Sequence, residues 1–142
     1  MHSPDGTRYR ATVHYDGSAF AGWPVPPHVR TVQGDVEAAL RRLDISGRVH
    51  GAGRTDAGVH AAGQVANFRC DTRLEPEAFF KGLNSLLPDD IIIKDCQTVR
   101  PDFHARYNTR SKVYHYQILN RAVPSAIGRQ YVWFVRKTLD RQ

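Results

Sequence analysis

Sulfur is scarce in this chain, with one methionine and two cysteines, Cys70 and Cys96, among 142 residues. Cysteines that few and that far apart match neither a zinc-ligand spacing nor the disulfide density of a small secreted scaffold. Both are therefore expected to be small, reduced and buried, a usage that fits a cytoplasmic protein. No apolar run approaches the length that crosses a membrane. Residues 1–6 are polar and short, a loose end and not a targeting signal. Internal repeats and low-complexity tracts are missing. So is a nucleotide fingerprint: GAGRTDAG at 51–58 lacks the Lys-Ser/Thr of a phosphate loop and leads into no helical pattern. The seven histidines show no ligand spacing with carboxylates or cysteines, so no metal site is expected, and His60 and His104 are assigned packing or hydrogen-bonding roles.

Acidic residues run short in the last quarter. From Arg106 onward eight Lys and Arg (Arg106, Arg110, Lys112, Arg121, Arg129, Arg136, Lys137, Arg141) face Asp140 alone, a balance of +7 in a chain whose total is +6. The positive charge thus belongs to one region, and a polyanionic partner such as RNA is the natural complement of such a region, with a solvated basic face as the plainer reading. What the chain does have is a core: 41% hydrophobic content with 24% charged residues suits one folded globular domain and excludes a disordered chain.

Alternation over residues 8–15 puts Tyr9, Ala11, Val13 and Tyr15 on one face, the period of a half-buried strand. Residues 16–30 form a loop rich in Gly and Pro. Thr31 is placed to cap a helix in which Val32, Val36, Ala39, Leu40 and Leu43 recur at helical steps, with Asp35 and Glu37 early and Arg41 and Arg42 late. A short strand over 48–51 enters a glycine-rich bend, and a second over 64–70, with Ala66, Phe68 and Cys70 inward, leaves it. Pro76 opens a second helix with an apolar stripe of Phe79, Phe80, Leu83, Leu86 and Leu87, read as core. Ile91, Ile92 and Ile93 read as a short buried strand. The order strand, helix, strand, strand, helix, strand predicts an α+β fold of the split βαβ, ferredoxin-like or RRM-like type, with a mostly antiparallel sheet and helices on one face. Residues 112–120 and 130–135 are predicted to add strands to that sheet. Thr138, Leu139 and Asp140 look like the start of a helix that the chain does not contain. The predicted organisation is a flexible N-terminus over 1–7, the split βαβ unit over 8–100, and a basic extension over 101–142.

The string GAGRTDAGVHA at 51–61 carries the chemistry. Glycines admit close approach of another chain, and here they surround an Arg-Thr-Asp step. Asp56 is expected on a tight bend open to substrate. Arg54, two residues away, is placed to share a face with Asp56 and favour its ionised form. A rigidly held, exposed carboxylate serves as a nucleophile or a base.

At this string, and in order along the chain at YDGSAFAGW (15–23), TVQGDVEAAL (31–40), DFHAR (102–106) and KVYHYQILN (112–120), the sequence resembles the tRNA pseudouridine synthase A family. The resemblance implies the N-terminal half of the pseudouridine synthase fold, a cofactor-free isomerisation of uridine to pseudouridine in the tRNA anticodon stem-loop, and a homodimer. It implies Asp56 as the catalytic residue, whether by attack on C1′, attack on C6, or removal of a sugar proton. Because the target nucleotide leaves its stack to be reached, Tyr114 is implied as the surface on which it rests. Arg54 and Lys112 are implied as substrate-binding residues, Lys112 having a basic counterpart in the family, and Arg106 and Arg110 are expected to meet phosphates, with a surface charge or a strand-end salt bridge as the plainer reading of each. Two prolines, Pro24 and Pro26, stand where most members carry glutamines. Members are nearly twice this length and supply from their second half an arginine that pairs with the catalytic aspartate, so this chain by itself is expected to be inactive. The alternatives are a non-catalytic RNA-binding module of the same fold and an inert fragment of the enzyme.

Overall fold

The alternation of residues 8–15 becomes the spine of the molecule. In the computed structural model, which describes residues 2–24, 28–72 and 74–139, strand β1 spans His2–Tyr15. It is followed by α1 (Val32–Arg42), β2 (His50–Gly51), β3 (Ala61–Thr72), α2 (Pro76–Leu86) and β4 (Ile91–Val99). These four strands form one antiparallel sheet in the order β2-β3-β1-β4. That is the split βαβ topology predicted from the element order. Tyr9, Ala11, Val13 and Tyr15 from β1, Ala66, Phe68 and Cys70 from β3, and Ile91 and Ile93 from β4 are buried together with the apolar stripes of both helices. The core thus lies on one side of the sheet, between strands and helices. Tyr9 is its aromatic centre, stacked on Phe68 with ring centroids 5.5 Å apart and tilted against Phe79 at 4.3 Å.

Both helices begin where their sequence signals lie. The Thr31 side chain accepts the Gly34 N–H at 3.1 Å, satisfying one of the donors that a helix start leaves open. Pro76 occupies the first turn of α2, where a missing N–H costs nothing.

Four expectations need correction. The N-terminus is not a loose end as far as residue 7: β1 begins at His2, although its pairing with β3 is regular only from Thr7 onward. Ile92 is not buried but 49% exposed, because β4 continues to Val99 as an edge strand and period two sends every second side chain outward. Residues 112–117 form no strand: only Ile118–Asn120 does, as β5, and it pairs in parallel with β6 (Trp133–Val135) in a separate two-stranded sheet. A strand needs a backbone partner for its N–H and C=O groups and a surface for its apolar side chains. Val113, Tyr114 and Tyr116 have no such surface and are exposed. The expected strand over 130–135 shortens because Arg129–Tyr131 forms a 3-10 turn behind Gly128, whose φ is +74°.

The chain divides into two compact units, Met1–Thr109 and Arg110–Gln142. The first holds the four-stranded sheet and both helices. In the second, Asn120 ties β5 to the end of β6 and the segment after it, donating to the carbonyls of Val135 at 2.8 Å and Lys137 at 2.7 Å. Pro26, Pro27 and Asp140 lie outside the described residues. No helix among the described residues is long and apolar enough to cross a membrane. Cys70 is buried and Cys96 half-buried. Burial, with Asp95 adding to it, pushes the Cys96 thiol up to about 12.

Candidate active site

Two loops distant in sequence interlock at the end of β1. One follows β1 and contains a 3-10 turn at Gly17–Ala19; the other is the bend between β2 and β3. Trp23 N–H donates to Thr55 O at 3.0 Å and Gly58 N–H to Phe20 O at 3.3 Å. Gly17 N–H donates to His60 Nδ1 at 2.8 Å. Tyr15, buried at the end of β1, shares a 2.8 Å hydrogen bond between its hydroxyl and Thr55 Oγ1. The approach is close enough to require glycine. A Cβ on Gly51 would lie 2.7 Å from the indole of Trp23, and one on Gly22, whose φ is +101°, 2.5 Å from Thr55 O.

The β3 side of the bend is fastened as well. Gln64 bridges to Gly53 in both senses, accepting its N–H at 3.3 Å and donating to its carbonyl at 2.5 Å. Ala52 N–H donates to Val65 O at 2.8 Å. Thr55 is therefore anchored on its side chain and its carbonyl. Its neighbours Arg54 and Asp56 are both exposed, as alternate residues flanking an inward one should be. Val59 N–H closes a turn onto Asp56 O at 3.1 Å. Asp56 is thus held by its backbone while its carboxylate stands in solvent, with no hydrogen-bond or ion-pair partner among the described residues. Arg54 and Asp56 are both exposed and form no ion pair with each other among the described residues.

His60 works as a fastener between the loops. Its Nδ1 faces the Gly17 N–H and also Asp16 Oδ1 at 3.1 Å, while that same oxygen accepts the Ser18 N–H. A neutral ring with bare Nδ1 accepts from Gly17; a protonated one donates to Asp16. Either form ties the two loops together.

A family model described as tRNA pseudouridine synthase matches residues 11–108, a span that contains both interlocked loops. The chain belongs to the tRNA pseudouridine synthase family. Among curated relatives, the tRNA pseudouridine synthase A of Moorella thermoacetica is 48% identical over 136 residues, covering 92% of this chain and 54% of the relative. That of Maridesulfovibrio salexigens is 47% identical over 128 residues, 89% of this chain and 47% of the relative. The chain spans about half the length of the curated relatives it matches.

Of the other residues expected at a synthase site, Arg106 is exposed in the first unit, at the end of the segment that runs over the sheet after β4. Arg110, Lys112 and Tyr114 belong to the second unit and are exposed there, Tyr114 at 62%. Arg106, Arg110 and Lys112 form no ion pair among the described residues. The bend depends on residues to which the sequence pattern gave no part in it: Tyr15, expected only as a core strand residue, and Thr55, Trp23 and Gln64. Gln64 carried a usable signal, since it is in phase with inward Ala66, Phe68 and Cys70, and a buried amide in that register must find partners.

Proposed function

We propose that this chain is the N-terminal half of a tRNA pseudouridine synthase that isomerises uridine to pseudouridine in the anticodon stem-loop, with Asp56 as the catalytic carboxylate. The observation that carries this reading is the Asp56 carboxylate itself: exposed, without a protein partner among the described residues, on a bend fastened on both flanks. A group in that setting reaches a nucleotide that comes to it without first breaking an internal contact. Arg54 beside it suits a phosphate or the displaced strand of the stem-loop, with Arg106, Arg110 and Lys112 as further phosphate contacts and Tyr114 as the surface for the flipped base. The working enzyme is a cytoplasmic homodimer of longer chains. A module that only grips RNA would leave the fastened bend without a purpose.

The test is tritium release from an anticodon stem-loop labelled at uridine C5, with this chain and with a chain extended through the second half. The extended chain turns over, this chain shows little or no release, and Asp56→Asn in the extended chain abolishes release while keeping RNA affinity within about threefold. Full activity of Asp56→Asn would overturn the assignment.

A further inference from the structure

The segment Phe20–Trp23 is a rail with a neighbour on each side. Toward α1, Ala21 N–H donates to Arg30 O at 2.8 Å, Val32 N–H to Gly22 O at 3.1 Å and Gln33 N–H to Trp23 O at 3.0 Å. Toward the Asp56 bend, Trp23 N–H reaches Thr55 O and Phe20 O receives the Gly58 N–H. The bend therefore takes its place from the rail, and the rail from whatever holds it against the start of the helix. Loops open locally at low cost unless side-chain contacts hold them.

Arg30 supplies that hold. Its guanidinium grips Asp90, which lies just before β4, with both terminal nitrogens, Nη2 donating to Oδ1 at 2.9 Å and Nη1 to Oδ2 at 3.2 Å. Its Nε donates to Oδ2 of Asp35, in the first turn of α1, at 3.2 Å. The guanidinium carbon also lies over the ring of the buried Phe20, 4.1 Å from its centroid. Asp90 returns to the same loop through its backbone, its carbonyl accepting the Asp16 N–H at 3.0 Å. A lone exposed ion pair is worth little, but a bidentate fork shared with a second carboxylate is the geometry in which such pairing holds. The Asp35 and Asp90 side chains are only 28% and 27% exposed, against 40% for Arg30. One cation between two anions makes the cluster net negative, the wrong sign for a phosphate contact.

We infer that Arg30 is a positioning residue for the Asp56 carboxylate: it fixes Phe20 and, through the bond from the Gly58 amide to the Phe20 carbonyl, the bend itself, without touching RNA. The inference rests on the reading of Asp56 as the catalytic carboxylate and adds a residue outside the bend on which its placement depends. A shift of about 1 Å in a reacting group costs up to about a hundredfold in rate, so a slackened rail is felt at the chemical step before it is felt in RNA affinity. Lysine is no substitute, because an ammonium offers a point charge where the planar fork meets two carboxylates and covers a ring.

Steady-state tritium release by the extended chain, with melting temperatures and salt-dependent RNA affinity alongside, tests it. Arg30→Gln lowers kcat by about tenfold with KM within about twofold, and Arg30→Lys stays nearer to the glutamine variant than to the parent. Asp90→Asn, which removes a negative charge, lowers kcat as well, and the double variant is no slower than the slower single one because both act through one contact. The slope of log affinity against log salt is unchanged in Arg30→Gln, whereas a lost phosphate contact would reduce it by about one. In the 142-residue chain the Gly58 amide exchanges about tenfold faster in Arg30→Gln, a reading that needs no turnover. Asp90→Asn, which leaves Arg30 over Phe20, keeps the test open should Arg30→Gln fail to fold. The inference is overturned by single variants whose kcat matches the parent's, by a loss that lysine restores, or by Gly58 exchange that does not change. Full release by Asp56→Asn overturns the assignment of the carboxylate instead, and Gly58 exchange still decides whether Arg30 holds the bend.

Discussion

Gly17→Ala should disturb the Asp56 bend without touching it. Gly17 is buried against the opposite loop, and a Cβ there would lie 2.6 Å from the carbonyl carbon of Val59 and overlap its oxygen. Both obstacles are backbone, so relief requires the loops to part by the order of an ångström. That movement stretches the Gly17 N–H to His60 Nδ1 bond, now 2.8 Å, and the Gly58 N–H to Phe20 O bond, already 3.3 Å. Losing two hydrogen bonds costs about 0.5–1.5 kcal/mol each, and overpacking adds about 1–3 kcal/mol, so the total is about 2–6 kcal/mol. At a middling urea slope of about 2 kcal/mol per molar the midpoint falls by roughly 1–3 M. In the extended chain, displacement of the carboxylate by about 1 Å lowers turnover by up to about a hundredfold. Gly63→Ala serves as control, since its Cβ meets only the Thr12 methyl at 3.4 Å, and its midpoint should stay near the parent's. A Gly17→Ala midpoint within 0.3 M of the parent (about 0.5 kcal/mol), with unaltered exchange at the Gly58 amide, would refute the view that the first loop positions the second.

Two further outcomes follow from the face of the sheet opposite the helices. Asn67→Ala leaves the buried Ala105 N–H without its acceptor and should cost about 1–3 kcal/mol, read from denaturant midpoints, with faster exchange at Ala105; an unchanged midpoint would mean that water takes over the bond. Acidification should also destabilise the first unit. Burial, with Arg8 adding to it, holds the folded pKa values of His50 and His104 below 6.5, so the unfolded chain takes up protons first. The contribution is complete above pH 6.5 and is lost as the pH falls through that value toward the depressed ones. Midpoints measured from pH 8 to pH 5 should fall less steeply in the His50→Gln, His104→Gln double variant than in the parent, and equal slopes would exclude these two rings as the source.

The first unit was legible where one local rule decided the outcome. Period two along β1 named Tyr9, Ala11, Val13 and Tyr15 as core, and all four are buried. Thr31 and Pro76 marked helix starts because the donors left open at a helix end must be met within a few residues of the chain. The glycine-rich bend announced close approach, but not of what. The sequence reading assigned its crowding to an incoming substrate, whereas part of it is filled by the protein itself, with Trp23 against Gly51 and Thr55 against Gly22. Nothing in a linear pattern says that Tyr15 will meet Thr55, because that bond depends on two loops arriving together after the sheet has formed.

The same distinction explains why the segment carrying Lys112 and Tyr114 was misread as a strand. Alternation names the side chains that would share a face if a strand formed, and it is silent on whether a neighbouring backbone exists to pair with. For β1 the neighbours on both sides, β3 and β4, lie within the same unit. Among the described residues, Gln117 meets a neighbouring strand only through its carbonyl, which accepts the Trp133 N–H at 2.7 Å, residues 112–116 belong to no strand, and their apolar side chains stay exposed. Unpaired peptide groups in water gain little from extension alone, since strand stability comes from cross-strand contacts and not from propensity. The pattern in 112–117 is therefore a statement about a partner strand. Supplying one should convert that stretch to regular structure without altering the fastened bend around Asp56, whose loop-to-loop hydrogen bonds described above lie within residues 15–65.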